Sequence, residues 1–482
     1  MKTEMATIDE QIRMGEVPVR EGEYGERVAT VEPGGVEYIA EEERHGRPLQ
    51  MFWTWMSPNL EFATVFVGSV GIFLFGGSFW TVALAIVVGT ALGALAHAVL
   101  SSWGPKFGVP QMVQGRSAFG FFGNILPAGL MSITAGIGWF AVNSVSGAFA
   151  VSALLGAPAW ATLVLIVLIQ IAVAFFGHNL VHVFERYAFI PLAVVFALAS
   201  LFIFAHSNPG HGFDAKAPLA FGGEMGAFLL TAAAAFGYAA GWNPYASDYT
   251  RYFPTSIDRR QVGLWAGLGV LVSCVVLELA GAALVTVSGT KWLGTNPTAQ
   301  LALAMPDVLY KATLLCIALG AISANALNIY SGAMAFLTVG LKLPLTLRRA
   351  LVALVFGAIG FVVALTGLGG ASTNYENFLL LISYWIAPWL GVIFTNYWLR
   401  RGEISDAELY NRRRENWSGP VAMIVGIVIS VFFFSAQAVY TGPVPKAVPQ
   451  VGDLTFLVGF VVSALVYYAL NTGLRQRAAG PM

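Results

Sequence analysis

Trp55-Met56-Ser57-Pro58-Asn59-Leu60-Glu61 and Gly237-Tyr238-Ala239-Ala240-Gly241-Trp242-Asn243-Pro244 are the stretches whose reading decides the fold. Each lies in an apolar run long enough to cross a bilayer, and each reads badly as uninterrupted helix. Proline removes a backbone donor and clashes with the preceding turn, and glycine costs about 1 kcal/mol relative to alanine in a helix interior. Backbone groups freed at membrane depth are tolerated only where they line a cavity or meet protein. The two stretches fall in the first and sixth spans. Paired interrupted helices at corresponding positions of two halves point to an inverted-repeat transporter with its site near the midplane. A plainer reading stays open, because no internal sequence repeat accompanies the pair: Pro58 only starts a helix and Pro244 only kinks one.

Outward from these breaks, the chain reads as an all-α polytopic membrane protein. Hydrophobic residues make up 57% of its 482 positions and charged residues 11%, about half the charged share of a soluble protein. Runs of about 20 apolar residues, the length needed to cross a hydrocarbon core, recur along it. Twelve spans are expected, at roughly 50–76, 79–100, 125–153, 158–177, 187–206, 224–248, 263–289, 308–339, 350–367, 375–399, 420–440 and 453–473. Loops on the side of the N terminus, together with the C-terminal tail, carry sixteen Lys and Arg, among them Arg116, Arg251, Arg400 and Arg414. The opposite loops carry Lys216, Lys291, Lys311 and Lys446. Positive loops stay inside, so both termini are expected in the cytoplasm, with the chain multi-pass in the cell (inner or plasma) membrane. Residues 1–47, polar and mixed in charge with a Glu32-Pro33-Gly34-Gly35 turn, read as a cytosolic tail without a cleavable signal peptide. Residues 401–419 read as a cytosolic loop and 474–482 as a cytosolic C-tail.

Several classes are disfavoured. Zero net charge argues against nucleic acid as a partner. Cys274 and Cys316 both sit in apolar runs, which suits small buried residues and not a disulfide framework. His97, His178 and His182 lie near span ends without metal-ligand spacing. No Gly-rich loop with a following Lys and Ser/Thr marks an ATP-driven pump. A membrane-embedded enzyme would need a catalytic constellation, which is not seen. A channel would need polar residues along several spans, whereas here they cluster at one depth.

Those polar residues define a candidate site. In the third span Trp139 and Asn143 are four apart, hence on one helical face. An aromatic plane beside a carboxamide suits a flat heterocycle, stacked on the ring and bonded at its edge, although both residue types also serve helix packing. In the eighth span Asn325 and Asn328 are three apart, with Ser323 close by. Two amides in one apolar helix are costly unless they bind each other, backbone or ligand. They occupy the third helix of the second half, as Trp139 and Asn143 occupy that of the first. Glu61 and Glu278 are the carboxyls at depth, candidates for carrying a proton or partnering a cation. Glu61 is favoured because it adjoins the first break; Glu278 reads equally well as a carboxyl bonded to neighbouring helices.

At these residues the chain resembles the nucleobase:cation symporter-1 family, and within it the purine–cytosine permease branch. The likeness runs over most of residues 48–400. It is carried by Gly108-Val109-Pro110, by Arg116-Ser117-Ala118-Phe119-Gly120-Phe121-Phe122-Gly123-Asn124 with Pro127-Ala128, by Gly138-Trp139-Phe140 with Asn143, and by Ala246-Ser247-Asp248-Tyr249-Thr250-Arg251-Tyr252. The resemblance implies a five-plus-five (LeuT-type) inverted repeat, about 48–206 and 224–400, with two accessory helices in 420–473. It implies an import function for purine bases or cytosine, driven by a proton or sodium gradient without other cofactors. Relatives carrying allantoin, hydantoin, uracil or a vitamin are the alternative; Asn143, where hydantoin carriers tend to have Gln, leans away from it.

By position, the resemblance implies that Trp139 stacks on the base and Asn143 bonds its edge. Ser57 matches a serine in the first-helix break of fungal-type permeases, and Asn325 and Asn328 match amides of their eighth helix. Tyr238, Ala239 and Trp242 all lie near the family's aromatic position on the sixth, with Trp242 and Tyr238 favoured. Glu61, Gly320 and Ser323 are the implied coupling-ion residues. One departure stands out. Sodium-coupled relatives carry two neighbouring hydroxyls in the eighth helix, but Ser323 is followed by Ala324. A hard cation wants several oxygens, so proton coupling through Glu61 is the favoured expectation.

Overall fold

The computed structural model describes residues 12, 14–20, 35–176, 178–288, 296–340, 348–437 and 439–478. The Glu32-Pro33-Gly34 part of the expected turn, Lys291 and the side chains of His178 and His182 lie outside the described residues.

A helix covers each of the apolar runs. The first run is split into α1 (Gln50–Met56) and α2 (Phe62–Phe73), and is followed by α3 (Phe79–Ser101). The third begins as α4 (Ile125–Ile133), widens into a π-helical turn over Thr134–Trp139 and continues as α5 (Phe140–Leu155). Then come α6 (Ala159–Phe176) and α7 (His178–His206). The sixth run is split into α8 (Gly223–Ala240) and α9 (Ala246–Thr250). The remainder are α10 (Arg259–Ser288), α11 (Asp307–Thr338), α12 (Arg348–Gly367), α13 (Ala371–Leu399), α14 (Ser418–Phe434) and α15 (Thr455–Ala478). Among the described residues, eight helical stretches are long and apolar enough to cross a membrane, and Phe62–Phe73, Ala159–Val173 and Ser418–Phe434 are shorter apolar helices. Side chains such as Trp80, Leu95, Ile190 and Leu201 are largely exposed on the outer wall, as lipid-facing residues are.

Lipid offers no hydrophobic drive between apolar helices, so close packing must hold them together, and small residues permit it. The tightest contact is α2 against α10. A Cβ on Gly68 would lie 1.6 Å from the Glu278 carbonyl oxygen, and one on Gly281 would lie 1.6 Å from that of Val65. The two helices touch backbone to backbone at both crossings. α8 lies along α3, α11 along α5, and α13–α15 pack together at the edge.

The described part of the N-terminal segment docks on the bundle. The Ile39 amide donates to Gly108 O at 3.0 Å, and Tyr410 Oη donates to Val36 O at 2.7 Å. Arg44 is buried and donates to Ile39 O and to Pro105 O, each at 2.9 Å. Arg251, just beyond α9, donates to Gly35 O at 2.8 Å and to Tyr252 Oη at 3.0 Å. Arg116 donates to Thr338 O at 2.7 Å and Leu409 O at 3.0 Å; burial lowers its pKa to about 10, still charged at neutral pH. Arginines that composition assigns to loops thus clasp carbonyls and seal one face of the bundle. Each cation buries its fork against several acceptors, which offsets its desolvation.

Overpacking a filled crossing typically costs about 1–3 kcal/mol. Gly281→Ala should therefore lower the melting temperature of the purified protein, followed by thermal aggregation in detergent. Gly129→Ala, where an added Cβ meets nothing within 4 Å, should leave it unchanged or raised. Equal melting of the two variants would show that the α2–α10 contact is looser than described.

Candidate functional site

The site is built where the two breaks meet. After α1 the chain makes a 3-10 turn at Ser57–Asn59, and Glu61 is fully extended (φ −153°, ψ 175°) before α2 begins. After α8 a second 3-10 turn spans Asn243–Tyr245, with Pro244 in its first turn. Both prolines sit in the first turn of a 3-10 segment that interrupts α-helix. Asn59 joins the two breaks. Its Nδ2 donates to Trp55 O at 2.7 Å, and its Oδ1 accepts from Trp242 Nε1 at 2.8 Å. Its carbonyl accepts from Thr64 Oγ1 at 2.5 Å, and Thr64 Oγ1 lies 2.5 Å from Tyr238 Oη. Carbonyls of the first break are thus satisfied by side chains of the same run, and the same side chains, Asn59 and Thr64, bond the sixth run through Trp242 and Tyr238.

Beside this crossing lies an amide cluster. Asn325 Oδ1 accepts from both Asn143 Nδ2 and Asn328 Nδ2 at 3.1 Å. Its own Nδ2 donates to Phe140 O at 2.9 Å and to Ser144 Oγ at 3.1 Å. Asn328 Oδ1 accepts from Tyr245 Oη at 2.7 Å. Ser144 also donates to Gln170 Oε1 at 2.7 Å, and Gln170 Nε2 donates to Ala321 O at 3.0 Å. Asn143, Asn325 and Asn328 are all buried. Trp139 ends the π-helical turn and is 7% exposed. Its ring stands edge-on to Tyr238 (5.3 Å between centroids, 88°) and to Phe378 (5.1 Å, 80°).

The coupling-ion candidates gather separately, along α11. A Cβ on Gly320 would lie 2.4 Å from Leu60 O and 2.7 Å from Glu61 Cβ, so the first break passes directly over this glycine. One turn on, Ser323 Oγ lies 3.3 Å from Ser57 Oγ. Ser57 therefore stands with this group and not with the amides. Glu61 occupies the N-cap position of α2, is wholly buried, and accepts from Ser146 Oγ at 3.2 Å. Glu278 is also buried and accepts from Thr90 Oγ1 of α3 at 2.9 Å, the helix-bonding role.

A cavity of about 350 Å³ opens beside the cluster. Phe62, Phe66, Val142, Ser146, Tyr375 and Phe378 are among its walls, and Trp139, Asn143, Asn325 and Asn328 are not. α2 and α5 carry it away from the face sealed by the N-terminal segment. Sequence reasoning missed Asn59, Ser144, Ser146, Gln170 and Tyr245. Gln170 had a usable signal, an amide in the middle of an apolar run. The others depend on which helix faces which.

A permease family defined for cytosine/purines, uracil, thiamine and allantoin matches residues 38–459, and the chain belongs to it. It is accordingly a multi-pass membrane permease and not an enzyme. Among its relatives is the "Putative purine-cytosine permease YxlA" of Bacillus subtilis, 28% identical, the match covering 93% of this chain and 98% of that one. "Purine-cytosine permease fcyB" of Emericella nidulans is 27% identical over 92% and 88%. "Vitamin B6 transporter TPN1" of Saccharomyces cerevisiae is 24% identical over 91% and 86%. The fold is similar to that of Mhp1, a nucleobase-cation-symport-1 transporter, closed with bromovinylhydantoin bound: TM-score 0.72, 17% identity, covering 92% of this chain and 96% of that one.

Because Asn325 accepts from two amides and donates to two oxygens, its loss leaves several buried groups unpaired, at about 1–3 kcal/mol each. Asn143→Ala and Asn325→Ala should each lower thermal stability, and the double variant should lose less than the sum, with a coupling of about 0.5–3 kcal/mol. Strict additivity would mean that the two amides do not share the bond described.

Proposed function

We propose that the chain is a secondary active importer of purine bases and/or cytosine, working by proton symport and alternating access. The observation that carries this reading is the amide cluster beside Trp139 at the crossing of two broken helices, in a member of this permease family. Purine–cytosine permeases among the relatives support the substrate class. In this reading twelve spans cross the membrane, the first ten form the five-plus-five repeat, the last two are accessory, and both termini are cytoplasmic.

A neutral base carries a flat ring and an edge of mixed donors and acceptors. Trp139 supplies a ring face once Phe378 moves aside, with Tyr238 and Trp242 closing the other flank. Asn143 and Asn328 supply donors and acceptors that bond each other through Asn325 while no base is present. Binding then exchanges amide–amide bonds for amide–base bonds, so no polar group is stranded at either stage. Glu61 adds the coupling. Burying an ionised carboxylate without a counter-charge is costly, and Ser146 is a neutral partner. The site therefore closes at least cost when Glu61 has taken up a proton. Sodium is the competing ion: Ser57 and Ser323 offer hydroxyl oxygens, but Ala324 offers none.

Uptake into proteoliposomes tests both halves of the proposal. An inward proton gradient should drive accumulation of labelled adenine or cytosine without sodium. Glu61→Gln should lose accumulation yet keep binding, since Gln preserves shape and cannot titrate. Trp139→Ala and Asn143→Ala should weaken binding roughly 5- to 150-fold, the equivalent of about 1–3 kcal/mol. A strict sodium requirement indifferent to the proton gradient would refute the coupling. Uptake of allantoin, a hydantoin or a B6 vitamer in place of both bases would refute the substrate.

A further inference from the structure

We infer that the cavity between α2, α5 and the α12–α13 corner is a second binding site, which holds the same planar heteroaromatic solute before it enters the amide cluster. This rests on the nucleobase reading proposed above. Its volume, about 350 Å³, falls in the range of small-ligand pockets, about 300–1,000 Å³, which are mainly apolar with a few polar groups.

Its walls suit a flat ring. Phe62 and Phe66 are four apart and so share one face of α2, their rings 6.0 Å apart and inclined by 32°. Tyr375 continues this wall, 5.5 Å from Phe66, and donates its hydroxyl to Ala63 O at 2.9 Å, which fixes the ring. Offset or edge-on contact with such rings is worth about 0.5–1.5 kcal/mol beyond area burial. Ser146 and Asn374 supply hydroxyl and amide at the margin.

Two observations separate this space from the central site while keeping it on the path. Phe378 and Tyr375 stand between the cavity and Trp139, at 5.1 Å and 6.5 Å from its ring. Gly138 lets the Phe378 ring lie on the α4–α5 backbone, since an added Cβ would come within 2.4 Å of it. A solute in the cavity is therefore one aromatic side-chain movement from the ring proposed to stack on it. Ser146 also lines the cavity while donating to Glu61, so an occupant shields the coupling carboxyl from water.

The test is binding stoichiometry for tritiated adenine, and separately tritiated cytosine, on the full chain in nanodiscs, titrated into the millimolar range. The wild type should bind two per chain. Asn143→Ala should leave one site unchanged, the cavity, and weaken the other roughly 5- to 150-fold. Val145→Trp, which fills the cavity from α5, should bind one, retained at the amides. Ala371→Trp fills it from α13 and decides the matter if Val145→Trp does not fold, judged by size exclusion and melting temperature. Asn143→Ala combined with either Trp variant should keep only the weakened site. A wild-type stoichiometry of one that Asn143→Ala weakens and the Trp variants leave intact would overturn the second site alone. Failure of the wild type to bind either base would overturn the nucleobase reading, and this inference with it.

Discussion

The side chain of Asn59 ties the two interrupted runs together: its Oδ1 accepts from Trp242 Nε1 across the crossing, while its Nδ2 donates to the Trp55 carbonyl of its own break. The Asn59 carbonyl accepts from Thr64, whose hydroxyl also meets Tyr238. The aromatic side chains at the crossing are oriented by these bonds. Trp242 faces Trp55 and Tyr245 because its indole N–H is committed to Asn59. Tyr238 stays edge-on to Trp139 because its hydroxyl is held at Thr64. An unsatisfied amide here would cost several kcal/mol, so the interruption and its side-chain partners belong together.

The central amides follow the same rule with a different outcome. Asn325 holds Asn143 and Asn328 through one oxygen and is anchored by Phe140 and Ser144. In such a cluster each amide is bonded without a ligand, yet keeps donor and acceptor capacity that a base edge can use. Around Glu61 the logic is one of charge. Its Cβ lies against Gly320, and its carboxyl is bonded by a neutral hydroxyl, Ser146, which also lines the cavity. Cavity and buried carboxyl are therefore neighbours through one side chain.

The two ends of the bundle are built unequally. On the face of the N-terminal segment, Arg44, Arg116 and Arg251 are buried against carbonyls from distant parts of the chain. At the other end α2, α5 and α13 leave the cavity open. The structure is thus closed on one side of the amides by charged hydrogen bonds and on the other by little more than Phe378 and Tyr375. Of these two rings, Tyr375 is held by its hydroxyl on Ala63 O, whereas Phe378 has packing alone.

Composition and the Pro- and Asn-bearing breaks were enough to establish a helical membrane protein with interrupted first and sixth runs, because hydrophobic length and proline chemistry are local properties. Helical spacing placed Trp139 with Asn143 and Asn325 with Asn328 for the same reason. The π-helical turn at Thr134–Trp139 left no comparable mark, since it depends on what α4 packs against. Nor could spacing show that Asn325 is the hub, that Ser57 pairs with Ser323, or that Asn59 joins the two breaks. Apart from the bond between Asn325 and Asn328, those bonds link residues more than a hundred positions apart. The docking of residues 35–48 escaped for the opposite cause: a polar, mixed-charge segment reads as solvated until the carbonyls awaiting its arginines are known. Sequence determined which residues must avoid lipid; only the packing of the helices decided which of them satisfy one another and which face the cavity.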